Sequence, residues 1–162
     1  MDIQNKATET GLYDEEVFKL LADYELSRAQ RYPSPVSMLH VSLNLDQAKP
    51  SIAGTLKQLF AGILNTSLRI SDIPAHYGND FLILMPSTYE SGAQAVARRL
   101  IARLRGTRNF ADGNMFKFVI HVGIATHPGG RGISVEKLLQ QAKTALEKAR
   151  KEGDHTYIQF TG

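Results

Sequence analysis

Arg69 and Asp72 stand three positions apart, and five residues separate Asp72 from Gly78-Asn79-Asp80-Phe81. An arginine is a planar, permanently charged fork of N–H donors that fits paired anionic oxygens, and a carboxylate accepts from clustered N–H donors. Together they make either a recognition hook for an anionic ligand that also carries N–H donors, or a solvated ion pair capping the start of a strand. Arg98 and Arg99, on a later segment, bring two further guanidinium groups.

The hook needs elements to hold it. Tyr77 and Phe81 flank Gly78-Asn79-Asp80, whose residue types tolerate the positive φ of a tight turn, and an apolar run continues to Pro86. A hairpin is predicted. Upstream, Val17, Leu20, Leu21 and Tyr24 recur at helical spacing against Glu15, Glu16, Lys19, Asp23 and Arg28, which predicts a helix from Tyr13 to about Tyr32, ended by Pro33 and Pro35. Val36 to Leu45 alternates as a strand, Asp46 to Ala53 reads as a loop, and Leu56, Leu59, Phe60, Ile63 and Leu64 mark the next helix.

Beyond the hairpin, Ala93, Val96, Ala97, Leu100 and Leu104 mark a helix, and Phe110 to Asn114 reads as a polar loop before the β-patterned run Phe116 to Ala125. Ser134 caps a last helix with Leu138, Leu139, Ala142, Ala145, Leu146 and Ala149 on its apolar face; Gly153 closes it before a strand from Thr156 to Phe160. The order β, α, β, β, α, β, α, β without a repeat period fits one mixed sheet flanked by helices.

A chain of 162 residues is one domain, large enough to bury a core. With 43% hydrophobic and 22% charged residues its composition is globular and not disordered. No apolar run approaches a membrane span, and residues 1–10 lack the apolar centre of a signal peptide, so a cytoplasmic setting is the default expectation. The absence of cysteine excludes disulfides, thiolate metal sites and cysteine nucleophiles. A formal net charge of +3 favours anionic ligands without naming one.

Other clusters have plainer readings. Arg98, Arg99, Arg103, Arg105 and Arg108 form a basic run with no interleaved aromatics, as expected of a solvated helix face and not of a nucleic-acid site. Gly129-Gly130-Arg131-Gly132 lacks the Lys-Ser/Thr of a phosphate-cradling loop and reads as a turn. The histidines have no helical metal spacing; His40 and His121 could meet across the sheet, but packed histidines are expected there and no metal.

The stretch from Arg69 to Pro86 resembles the signature of the GGDEF family, bacterial domains that make cyclic di-GMP from two GTP molecules. The family pattern is R-x-x-D, five residues, G-G-D/E-E-F, then apolar residues and Pro; here the spacing is kept, but the hairpin reads Gly78-Asn79-Asp80-Phe81 and lacks the Glu. The resemblance runs from about residue 9 to 160. Thr10-Gly11-Leu12-Tyr13 is similar to the family's T-G-L-x-N-R entry with Asp14-Glu15 in place of Asn-Arg, His121-Val122-Gly123-Ile124-Ala125 to its S-I/V-G-I/V-A, and Ala142 to Arg150 to its A-D-x-A-L-Y-x-A-K, with Arg150 for the Lys.

The resemblance implies an α/β (α+β) fold, a nucleotide-cyclase-like mixed central sheet of about five strands plus a hairpin, flanked by helices, with residues 1–9 as a polar lead-in and 10–162 as the domain. It also implies what has been lost. The family's strand ends in D-x-D, whose first Asp holds the catalytic Mg²⁺; the matching residues are Ser42 and Asn44, and a neutral hydroxyl cannot supply the charge a hard cation needs. The guanine-reading N-D-x-x-G-H-x-x-G-D motif is missing, the chain being shorter between Asp46 and Leu56, and His76 stands where the family usually has Arg.

A degenerate, non-catalytic domain without catalytic residues, metal or cofactor is therefore expected. In the family R-x-x-D is the product-inhibition site, so Arg69, Asp72, Arg98 and Arg99 are the candidate ligand residues, with Gly78, Asn79, Asp80 and Phe81 as the altered hairpin. One reading is a cyclic di-GMP receptor; another is a protein-interaction or dimerisation module, including a homodimer or a sensory or effector domain as partner, that binds no nucleotide. Binding of GTP without turnover is a third, against which the missing guanine motif argues.

Overall fold

The computed structural model describes residues 6–7, 10–44, 50–105, 109–111, 114–116 and 119–162. In chain order the elements are β1 (Lys6–Ala7), β2 (Leu12–Tyr13), α1 (Glu15–Arg31), β3 (Val36–Asn44), α2 (Pro50–Ser67), β4 (Ile73–Tyr77), β5 (Asp80–Pro86), α3 (Glu90–Arg105), β6 (Asn109–Ala111), β7 (Asn114–Phe116), β8 (Val119–His127), α4 (Val135–Lys151) and β9 (Thr156–Gln159). Asp14 caps α1 by accepting from the Val17 amide at 2.8 Å, and Ser134 caps α4 by accepting from Lys137 at 3.1 Å. Acidic residues in each first turn and basic ones in each last turn complement the helix dipoles.

Seven strands form one mixed sheet in the order β1-β2-β4-β5-β3-β8-β9. β3 is antiparallel to both β5 and β8, whereas β9 joins β8 and β2 joins β4 in parallel. Period-two alternation divides the side chains of β3 between two layers. Leu39, Val41 and Leu43, with Phe81, Ile83 and Val122, pack with α2 and α3 around Phe60, whose ring meets Phe81 edge-on at 4.9 Å between centroids. Val36 and Met38, with Leu82 and Leu84, pack with α1 and α4 on the other face. His40 and Ser42 follow Met38 on that second face, so the strand changes from apolar to polar as it approaches the hairpin.

The expected mixed sheet and its helices are present, with local differences. The hairpin turn has two residues, since Tyr77 pairs with Asp80; Gly78 takes φ +60 and Asp80 opens β5 instead of belonging to the turn. Pro50 begins α2, ahead of the Leu56 to Leu64 stripe that marks the helix in the sequence, as suits a residue with no amide to leave unbonded in a first helical turn. Within the polar lead-in, Lys6–Ala7 pairs with Leu12–Tyr13. At either end of the stretch Phe110 to Asn114, expected as a polar loop, β6 and β7 pair as a separate two-stranded sheet, Ala111 with Asn114. The shortened stretch at 46–49 lies outside the described residues, as do positions 1–5 and 8–9 of the lead-in and Arg108 of the basic run.

Candidate functional site

Arg69 and Asp72 occupy the turn between α2 and β4. The Asp72 carboxylate accepts from the Arg69 amide at 2.9 Å and from its guanidinium at 3.0 Å, while the Asp72 amide donates back to the Arg69 carbonyl at 3.0 Å. Burial is unequal: the Asp72 side chain is fully buried and that of Arg69 is 52% exposed. The geometry therefore combines the two sequence readings, a carboxylate that closes a turn at a strand start and a guanidinium presented to solvent.

Arg69 also reaches across to the exit of β5. Its Nη2 donates to the Pro86 carbonyl at 3.0 Å and to Thr88 Oγ1 at 2.7 Å. Thr88 is itself tied to β3, since its carbonyl accepts from Ser37 Oγ at 2.8 Å and its amide donates to the Pro35 carbonyl at 3.1 Å. Between Pro86 and Thr88, Ser87 sits at φ +51, a left-handed conformation costly for a residue with a Cβ and often found at ligand sites. The strand thereby turns sharply into α3.

These residues enclose a cleft of about 360 Å³ lined by Arg69, Asp72, Ser87, Thr88, Tyr89 and Arg99, among others. Ser91 and Gly92, in the first turn of α3, line it too, so the start of a helix and two arginines border one space. Arg99 reaches it while its Nη2 donates to the Ser67 carbonyl at 2.6 Å. Arg98 does not line the cleft: one position round the helix, its Nη1 donates to the Tyr157 hydroxyl at 3.1 Å. Of the expected ligand residues Arg69, Asp72, Arg98 and Arg99, the cleft thus brings together three. Arg103 is committed as well, donating to the Ile63 carbonyl and to Thr66 and Ser67 at the end of α2. Ser87, Thr88, Tyr89 and Ser91 were missed in the sequence, although Ser-Thr after a strand-ending Pro86 and before a helix signals a helix N-terminus.

The signature hairpin lies elsewhere. Asn79 accepts from Lys57 Nζ at 2.9 Å, Phe81 is core, and Asp80 accepts from His40 Nε2 at 2.8 Å. Arg150 Nη2 donates to Ser42 Oγ at 2.8 Å and stands 3.8 Å from Asp80. This donor set does not fit the divalent cation that the resemblance implies: the hydroxyl at 42 accepts from a guanidinium, and the carboxylate is bonded to an imidazole beside a fixed positive charge. Among the described residues no group of three His, Cys, Asp or Glu side chains could hold a metal. His40 and His121 take separate partners: His40 Nε2 bonds Asp80 and His121 Nε2 donates to the Gly153 carbonyl at 2.8 Å. His76 bonds Thr10 Oγ1, and its pKa is lowered by burial and then by the charge of Lys57.

The fold and much of the sequence have counterparts. Response regulator PleD of Caulobacter vibrioides is 26% identical over 157 residues, 92% of this chain, which spans 34% of that relative's length. The GGDEF domain of DgcB from Caulobacter crescentus, solved in complex with c-di-GMP, superposes with a TM-score of 0.88 at 13% identity, covering 100% of this chain and 96% of that one. Diguanylate cyclase SiaD from Pseudomonas aeruginosa, solved with its activator SiaC, gives 0.87 at 19% identity over 95% of this chain and 61% of that one. At these identities the structural likenesses establish the fold. The family model described as diguanylate cyclase, GGDEF domain, matches residues 51–156, most of the chain and all of the turn, cleft and hairpin just described; the chain belongs to the GGDEF domain family.

Proposed function

We propose that this GGDEF domain is non-catalytic and serves as a cyclic di-GMP receptor through the cleft at Arg69, Asp72 and Arg99. The observation that carries the reading is the convergence there of two partly exposed guanidinium groups and the first turn of α3, which suits a ligand with two phosphates. The volume is that of a small-molecule site, and the DgcB domain of the same fold was solved with this dinucleotide. Asp72 reaches a guanine edge only when Arg69 turns off it, so binding exchanges an internal ion pair for contacts with the ligand. The donor set at Ser42, Asp80 and Arg150 supports the absence of cyclase activity.

Calorimetric titration with cyclic di-GMP tests the reading, with GTP and Mg²⁺ in parallel. Micromolar binding in the wild type, lost in Arg69→Ala, and no response to GTP are the expected results. A silent titration with the dinucleotide would overturn it. The second reading, a protein-interaction module, is favoured by Ile70 and Tyr89, exposed apolar side chains beside the cleft, and by diguanylate cyclase SiaD having been solved in complex with its activator SiaC.

A further inference from the structure

Ser42, Asp80 and Arg150 come from β3, β5 and α4, and the arginine is delivered by packing that does not depend on the cluster. α4 lies directly on β8 at Gly123, where a Cβ would come 2.1 Å from the Ala142 carbonyl oxygen and 2.3 Å from the Leu146 amide. Just beyond the helix, the Gly153 carbonyl accepts from His121 Nε2 at 2.8 Å. Gly123 pairs with His40 and His121 with Ser42, so both attachments face the polar end of β3. A helix fixed at these two points places the last-turn Arg150 over Ser42.

The guanidinium then does two things at once. It donates to the one side-chain oxygen of Ser42, at 2.8 Å, and it holds a positive charge 3.8 Å from Asp80. A dication entering between positions 42 and 80 would meet a carboxylate already bonded to His40 and a like charge held by the fold. We propose that Arg150 is the resident cation of this chain: its guanidinium stands in for a divalent ion between position 42 and the hairpin carboxylate, so the site is charge-compensated by the protein itself. Metal exclusion is then a property of Arg150 as much as of the serine. A carboxylate restored at 42 alone would pair with the guanidinium, whose planar fork matches it, and would leave no site for a metal.

The inference rests on the non-catalytic half of the proposed function and is independent of what the Arg69 cleft binds. Manganese(II) binding, read by the loss of the free-ion paramagnetic resonance signal, tests it without nucleotide or turnover. Four proteins are compared: wild type, Ser42→Asp, Ser42→Asp with Arg150→Ala, and that double variant with Asp80→Asn. The wild type and Ser42→Asp are expected to bind no manganese at millimolar concentration, the double variant at least tenfold more tightly than Ser42→Asp, and the triple variant to lose that gain. Should Arg150→Ala fail to fold, Arg150→Gln in its place keeps a donor for the side chain at position 42 and removes the charge. Ser42→Asp binding within tenfold of the double variant overturns the role of Arg150 while leaving the wild type metal-free. Binding by the wild type itself would overturn that role and the non-catalytic reading together.

Discussion

Asp72 accepts three times from Arg69, from the backbone amide at 2.9 Å, from Nη2 at 3.0 Å and from Nε at 3.5 Å, and is fully buried in doing so. A buried carboxylate that satisfies a backbone donor is part of the fold before it is part of a ligand site. Asp72→Ala is expected to cost about 1–3 kcal/mol, the range for leaving buried hydrogen-bonding groups unpaired. Arg69→Ala, which removes a half-exposed partner, should cost less, about 0–1 kcal/mol. Urea unfolding of the two variants checks the order. Equal losses would mean that the guanidinium, and not the amide, is what the carboxylate holds.

Gly123 and Gly78 should respond very differently to alanine. At Gly123 the added Cβ meets backbone atoms of α4 at 2.1 and 2.3 Å, so the helix must move off the sheet. Overpacking of this kind costs about 1–3 kcal/mol and more when backbone must give; Gly123→Ala is expected at the upper end or beyond, with loss of the Arg150–Ser42 contact. At Gly78 a Cβ has open space and only the φ of +60 is unfavourable, so Gly78→Ala should cost about 1–2 kcal/mol. Thermal unfolding of both separates a packing constraint from a turn constraint.

The fold was legible wherever one period dominated. The apolar stripe of α4 reappears as a buried face because that helix has one side to hide, and the short β-patterned run of β3 reappears as a central strand buried on both of its faces. Failures occurred where two short signals competed. Gly-Asn-Asp is turn-forming throughout and by composition places Asp80 in the turn, yet cross-strand pairing with Tyr77 recruits it to β5, and there its carboxylate accepts from His40. The polar composition of Phe110 to Asn114 reads as a loop, yet β6 and β7 pair at its two ends. The arginine pair 98 and 99 could not be resolved from sequence, since both flank the apolar stripe, and which one turns to the cleft depends on where α2 ends and where β9 lies.

Acid should weaken this domain through two histidines. Burial first, and the charge of Lys57 second, hold His76 below its ordinary pKa of 6.5; burial and then Lys137 do the same for His127. A histidine lowered in the folded state binds fewer protons there than in the unfolded chain. Its contribution is therefore fully present above pH 6.5 and is lost as pH falls through the lowered folded value. Unfolding curves between about pH 7 and 5 should show stability declining with acid, and the combined His76→Gln and His127→Gln variant should decline less steeply than the wild type. Parallel slopes would place the acid sensitivity on other groups.

Arg98 and Arg99 offer a sharp separation within the proposed site. They are sequence neighbours, both exposed and both on α3, so any loss of general positive charge near the cleft affects ligand binding equally for the two. Their hydrogen bonds diverge: Arg98 goes to the Tyr157 hydroxyl of β9, whereas Arg99 lines the cleft while bonded to the Ser67 carbonyl where α2 ends. In titrations with cyclic di-GMP, Arg98→Ala is expected to bind within about twofold of the wild type, while Arg99→Ala should lose about 1.5–3 kcal/mol, roughly ten- to a hundredfold, as a charge-assisted hydrogen bond would. The Ser67 carbonyl loses a donor in Arg99→Ala, so Arg99→Lys, which restores a charge but not the planar fork, is the control. Recovery of stability without recovery of binding in Arg99→Lys would assign the effect to guanidinium recognition of the ligand. Equal binding losses for Arg98→Ala and Arg99→Ala would instead show that the cleft attracts the dinucleotide by diffuse charge, with no directed role for Arg99.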